Sequence, residues 1–103
     1  IQKVLSHIRK NIYKTVDIDS LAAISCLSKD HFIRLFKKEV GTTPLQYINQ
    51  KKIEKAQLIL ITEDIPVKNI AYLLAYEDHS YFNRLFKKIT DVTPQQYREL
   101  YKK

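Results

Sequence analysis

Phe82-Asn83-Arg84-Leu85-Phe86-Lys87-Lys88 is the stretch on which the fold turns. Fifty positions upstream stands a near copy, Phe32-Ile33-Arg34-Leu35-Phe36-Lys37-Lys38. The register persists downstream, where Thr43-Pro44 and Gln46-Tyr47 return as Thr93-Pro94 and Gln96-Tyr97. A repeat this long means that one supersecondary unit is used twice. Two copies are too few for a solenoid. The unit itself is a short helix, a tight turn and a basic helix.

The turn chemistry delimits each unit. Asp17 suits the N-cap of a helix over about 18–25, with Leu21, Ala22 and Ile24 inward. Ser28 suits the cap of the next helix, which runs to about Glu39, and Gly41 fits the left-handed position just past its end. Only a few residues separate the two helices, which is helix-turn-helix spacing. Pro66 opens the corresponding pair downstream, with Val67, Ile70, Ala71 and Leu74 inward. Asp78 caps the second basic helix, His79 to about Ile89. Leu21-Ala22 aligns with Ile70-Ala71 at an offset of 49 rather than 50, so the second turn is one residue longer. Asp91 stands where Gly41 stood, a residue that visits the left-handed region less readily than Gly.

Between and after the units, Thr43-Pro44-Leu45-Gln46 and Thr93-Pro94-Gln95-Gln96 each read as a capping box with Pro at the first helical position. The first opens a long helix to about Ile61. Leu45, Ile48, Ala56, Ile59 and Leu60 give it an apolar side. Gln50, Lys51, Lys52, Glu54 and Lys55 dominate its middle, the pattern of a connector between two packed bodies. The second box starts a short terminal helix through Leu100, and the tail 101–103 is expected to fray. At the other end, Val4, Leu5, Ile8 and Ile12 mark an amphipathic helix to about Tyr13 that covers the core of the first unit.

Composition agrees. The chain has 103 residues, 45% of them apolar, with one Gly and three Pro. That is enough for one small domain or two very small subdomains, and it favours an all-α chain. A net charge of +7 in so small a domain points to a polyanion, with nucleic acid ahead of an anionic membrane surface. No apolar run approaches the roughly 20 residues that a membrane span needs. Cys26 is the lone cysteine. Between Ile24 and Leu27 it reads as a small core residue, in keeping with a reducing, cytoplasmic setting. With no Met and an initial Ile1, the chain reads as a piece of a longer protein.

On a helical wheel, Phe82, Leu85, Phe86 and Ile89 form the core stripe of the second basic helix. Ser80, Asn83, Arg84 and Lys87 lie opposite, with His79 at the edge. In the first copy Phe32, Leu35 and Phe36 face in, while Asp30, Ile33, Arg34 and Lys37 face out, with Lys29 at the edge. An α-helix fits the major groove of duplex DNA, and its outward N-terminal residues reach base edges. The base-reading candidates are therefore Lys29, Asp30, Ile33, Arg34, His79, Ser80, Asn83 and Arg84. Lys37, Lys38, Lys87 and Lys88, nearer the helix ends, are candidates for phosphate contacts. Ile33 either meets a thymine methyl or packs on its neighbours, and the sequence leaves both open.

This arrangement resembles the DNA-binding domain of the AraC/XylS family of bacterial transcription regulators. The residues that carry the resemblance are Leu21-Ala22, Ser28, Phe32, Arg34 to Lys38, Gly41, Thr43-Pro44 and Tyr47-Ile48. In the second half they are Ile70-Ala71, Ser80-Tyr81-Phe82, Arg84, Phe86-Lys87-Lys88, Thr93-Pro94 and Tyr97-Arg98. The family usually has Gly-Phe at the place of Ala75-Tyr76, and Gly at that of Asp91. The resemblance implies seven helices, two helix-turn-helix subdomains (1–43 and 62–103) joined by a linker helix (44–61), and base reading by the third and sixth helices. It also implies double-stranded DNA as partner, RNA polymerase as a partner of the whole regulator, and a separate effector or signalling domain outside these residues.

Geometry is compatible with that implication. A connector of about 18 residues is about 27 Å long, and successive major-groove faces lie about 34 Å apart. Two units can thus meet adjacent grooves with some bending of the DNA. Because the copies differ, the site is asymmetric. The alternative is a basic helical module for RNA or a protein partner, to which the mixed-charge run Gln50 to Gln57 is suited. An enzyme is not expected: His7, His31 and His79 lack ligand-spaced partners, and there is no Gly-rich phosphate loop. No cofactor, metal or catalytic residue is expected.

Overall fold

The computed structural model describes residues 1–102, and helix is the only regular secondary structure among them. The elements are α1 (Gln2–Lys10), α2 (Ile18–Ile24), α3 (Lys29–Val40), α4 (Pro44–Thr62), α5 (Val67–Leu73), α6 (His79–Thr90) and α7 (Pro94–Tyr101). They form two compact units, Ile1–Lys51 and Lys52 onward, divided within α4. No helix among the described residues is long and apolar enough to cross a membrane.

The helix starts follow the capping chemistry. Asp17 Oδ1 accepts from Ser20 N at 2.7 Å, Ser28 Oγ from His31 N at 3.3 Å, and Asp78 Oδ1 from Ser80 N at 2.8 Å. The Asp17 carboxyl is held below its ordinary range, chiefly by that backbone bond from Ser20. Both capping boxes close: Thr43 N donates to Gln46 Oε1 at 3.1 Å, and Thr93 N to Gln96 Oε1 at 2.9 Å. The reciprocal bonds to Thr43 Oγ1 and Thr93 Oγ1 are 3.2 and 3.1 Å. Helices α4 and α7 therefore start sharply after the two basic helices.

In the first unit, Val4 and Ile8 of α1, Leu21 and Ala22 of α2, Phe32 and Phe36 of α3, and Ile48 of α4 form the core. In the second, Ile53, Ala56, Ile59 and Leu60 of α4 take the covering role that α1 has in the first. They close over Ile70, Ala71, Leu74, Tyr76, Phe82 and Phe86. The duplication reaches the ring geometry. Phe36 meets Tyr47 edge-on at 5.6 Å, and Phe86 meets Tyr97 edge-on at 5.7 Å. Within the basic helices the Phe–Phe separations are 5.8 and 6.0 Å.

Each helix-turn-helix turn ends its first helix in the same way. Past α2, Cys26 adopts φ 59°; past α5, Ala75 adopts φ 67°. Leu27 N then donates to Ala22 O and Tyr76 N to Ala71 O, the six-to-one bond of a Schellman turn. The second turn carries the extra residue Glu77 before its cap Asp78, as the 49-residue offset predicts. Cys26 is thus exposed and not the small core residue its apolar neighbours suggest, because it occupies the left-handed turn position past the end of α2. A Cβ in the left-handed region costs about 1–2 kcal/mol, partly offset by the lower chain entropy of a non-Gly residue. Ala75→Gly is therefore expected to raise stability by about 1 kcal/mol. Urea unfolding checks this, and a lower midpoint would show that the turn is not strained.

Four further expectations are corrected. First, α1 ends at Lys10, where Asn11 Nδ2 donates to His7 O at 2.8 Å. Second, Ile89 is 41% exposed. The wheel gives its direction, but it lies a turn beyond Phe86 at the end of α6. Third, the polar-dominated middle of α4 is partly core, since Ile53 is fully buried and Lys52 is 5% exposed. Fourth, Lys102 in the tail is tied down, donating to Glu63 O at 2.8 Å and pairing with Asp64. Lys103 lies outside the described residues.

Candidate nucleic-acid interface

The two Phe stripes fix which sides of α3 and α6 are left for solvent. With Phe32 and Phe36 fully buried, Lys29, Asp30, Arg34, Lys37 and Lys38 of α3 are exposed. With Phe82 and Phe86 fully buried, Ser80, Arg84, Lys87 and Lys88 of α6 are exposed. His31 and Tyr81, fifty positions apart, are also exposed between the capping turn and the first core Phe.

Three candidates sit lower than the wheel implies. Ile33 is half-buried and packs against the core of the first unit. Asn83, its repeat partner, is also half-buried. Its Oδ1 is buried and accepts no hydrogen bond among the described residues. His79 is half-buried as well. The positions flanking Phe32 and Phe82 on the C-terminal side thus lie on the border of the stripe.

Charge along each helix is graded. Asp30 is in the first turn of α3, and Lys37 and Lys38 are in the last. On α6 the last turn carries Lys87 and Lys88. Cations there complement the negative end of the helix dipole and also leave their ammonium groups free for an outside anion. Lys29 lies 3.8 Å from Asp19 across the α2–α3 turn. An exposed pair of this kind contributes less than about 1 kcal/mol, so an incoming partner can displace it. Among the described residues no group of three or more His, Cys, Asp or Glu side chains is placed to hold a metal ion.

What sequence reasoning missed is the set of cations that hold the second unit together. Arg98 donates through Nε to Leu60 O at 3.0 Å and through Nη2 to Glu63 O at 3.1 Å and Ile65 O at 2.7 Å. It thereby ties the end of α4 to α7. Lys52 Nζ donates to Leu74 O at 2.5 Å and lies 5.5 Å from the centre of the Tyr76 ring. Desolvation lowers the Lys52 pKa and raises that of Tyr76. A signal was present: position 52 falls four residues after Ile48 and four before Ala56, on the apolar stripe.

Similarity to known proteins follows the same outline. Residues 21–100 match the family described as Helix-turn-helix domain. The MmsAB operon regulatory protein of Pseudomonas aeruginosa is 34% identical over 94 residues, which are 91% of this chain and 31% of that protein. The C-terminal domain of the two-component response regulator yesN from Fusobacterium nucleatum superposes with a TM-score of 0.89. It is 32% identical, covering 94% of this chain and 95% of that one. The DNA-binding domain of the global transcriptional factor AdpA, solved in complex with a target DNA, gives a TM-score of 0.92. Its identity is 25%, over 97% of this chain and 90% of that one. The chain spans about a quarter to a little over a third of the length of the curated relatives it matches. With its two helix-turn-helix units and a match over most of its length, the chain belongs to the AraC-type helix-turn-helix family of transcription regulators.

Proposed function

We propose that this chain is the part of a bacterial transcription regulator that binds double-stranded DNA in a sequence-specific manner. Helices α3 and α6 enter neighbouring major grooves of an asymmetric site. The observation that carries the proposal is the repeated pairing of a buried Phe stripe with an exposed cationic face on α3 and α6. The AdpA domain, seen with its target DNA, supports it. Arg34 and Arg84 read bases, since an exposed guanidinium can pair bidentately with guanine. Lys29, Asp30, His79, Ser80 and Asn83 line the same reading face, and Ile33 shapes its floor. Lys37, Lys38, Lys87 and Lys88 contact phosphates.

As domains, residues 1–43 and 62–103 act as the two reading heads and 44–61 as their linker. The linker α4 is 19 residues long. The whole regulator works in the cytoplasm, carries a separate effector or signalling domain, and acts on RNA polymerase. The basic-module alternative is weakened by α4 itself, because Lys52, Ile53 and Ala56 of its mixed-charge run are buried.

Selection of bound duplexes from a random DNA pool tests the reading. One asymmetric consensus covering two successive major-groove faces is expected; indifferent binding to random duplex, RNA and heparin would overturn it. Within the selected site, Lys88→Ala is expected to weaken every sequence alike. It should lower the slope of log affinity against log salt by roughly one. Titrations at four salt concentrations measure this, and an unchanged slope would remove Lys88 from the phosphate contacts.

A further inference from the structure

The two helix-turn-helix turns share a backbone design but are not held alike. After α5, the Schellman bonds occupy the carbonyls of Ala71 and Tyr72. The carbonyl of Leu74, at the helix end, takes no part in these bonds and receives the Lys52 ammonium at 2.5 Å. Lys52 comes from α4, 22 positions earlier in the chain, and is 5% exposed. Its charge lies 5.5 Å from the Tyr76 ring, a separation at which a cation and an aromatic face attract. Tyr76 in turn packs on α6, 5.4 Å from Phe82 and 6.1 Å from Tyr81. A continuous set of contacts therefore runs from α4 through the turn to the first turns of α6.

The first unit is built differently. Leu27 stands where the second unit has Tyr76, and the turn is one residue shorter. The positions of the repeat that correspond to Lys52 are Gln2 and Lys3, both exposed. The longer turn, with Ala75 in the left-handed region, is the one braced by a buried cation.

We propose that Lys52 is a positioning residue for DNA reading by the second unit: without touching DNA, it fixes the turn from which α6 projects. The proposal rests on the DNA-binding reading above. A buried ammonium is costly to desolvate unless its bonds are well made, and here it faces the Leu74 carbonyl and the Tyr76 ring, both at the turn. A displacement of about 1 Å at a bidentate base contact is enough to lose it.

The test uses the whole chain in the variants Lys52→Met and Lys52→Arg, at a temperature where circular dichroism shows each to be folded. Lys52→Met keeps the stem and removes the donor. On the selected duplex it is expected to lose about tenfold in affinity. Hydroxyl-radical protection and base preference should weaken in the half read by α6 and persist in the half read by α3. Lys52→Arg should restore the α6 half. Tyr76→Leu, which cuts the same contacts at their next link, should reproduce the selective loss and keeps the test open if Lys52→Met does not fold. Equal weakening of both halves, or an α6 half unchanged within twofold in the folded variants, would overturn the proposal. If the wild-type chain itself selects no sequence, it is the underlying reading that fails.

Discussion

Arg84→Ala is expected to lower affinity for the selected duplex by about 1–3 kcal/mol, roughly fivefold to 150-fold, and to relax preference at the base pair it reads. The expectation rests on position. Arg84 is exposed on α6, two residues after Phe82 and two before Phe86, both fully buried, so its side chain leaves the helix on the side away from the core. Arg84→Lys should not restore the preference, because an ammonium cannot reproduce the planar two-donor fork. Repeating the selection with each variant reads both quantities. A wild-type consensus and affinity in Arg84→Ala would move the reading face elsewhere on α6.

Phe86→Ala is expected to cost about 3–5 kcal/mol of stability, the range for a fully buried aromatic that leaves a cavity. Phe86 joins two ring pairs, 6.0 Å from Phe82 and 5.7 Å from Tyr97, and so links α6 to α7. Small domains have little to lose: total stabilities run to about 5–15 kcal/mol, and fewer still for the smallest cores. The repeat supplies an internal control. Phe36→Ala removes the equivalent ring, with Phe32 at 5.8 Å and Tyr47 at 5.6 Å, and should cost the same within about 1 kcal/mol. Urea unfolding followed by circular dichroism measures both. A cost below about 1 kcal/mol at either site would mean that the cavity collapses and that the Phe stripe does not hold the unit.

The parts of this fold that could be read from the chain are those governed by neighbours a few residues apart. Thr-Pro-x-Gln, Asp17, Ser28 and Asp78 announce helix starts because their partners are two or three positions away. The Phe stripes were legible for the same reason. The failures involve distance or cover. Lys52 meets Leu74 across 22 positions and Arg98 meets Leu60 across 38, and no local pattern encodes either partner. Cys26 has apolar neighbours but occupies a left-handed turn position, so composition misplaces it. Ile89 has the right angle on the wheel and is 41% exposed, since angle says nothing of whether another element covers it. Ile33 and Asn83 are borderline because a stripe built from Phe is wide and reaches the flanking positions.

Because Glu77 lengthens one connection and not the other, the two halves are not exchangeable cassettes. Transplanting the surface side chains of α6 onto α3 would carry over their chemistry, but not the longer turn and the Lys52 contact behind it.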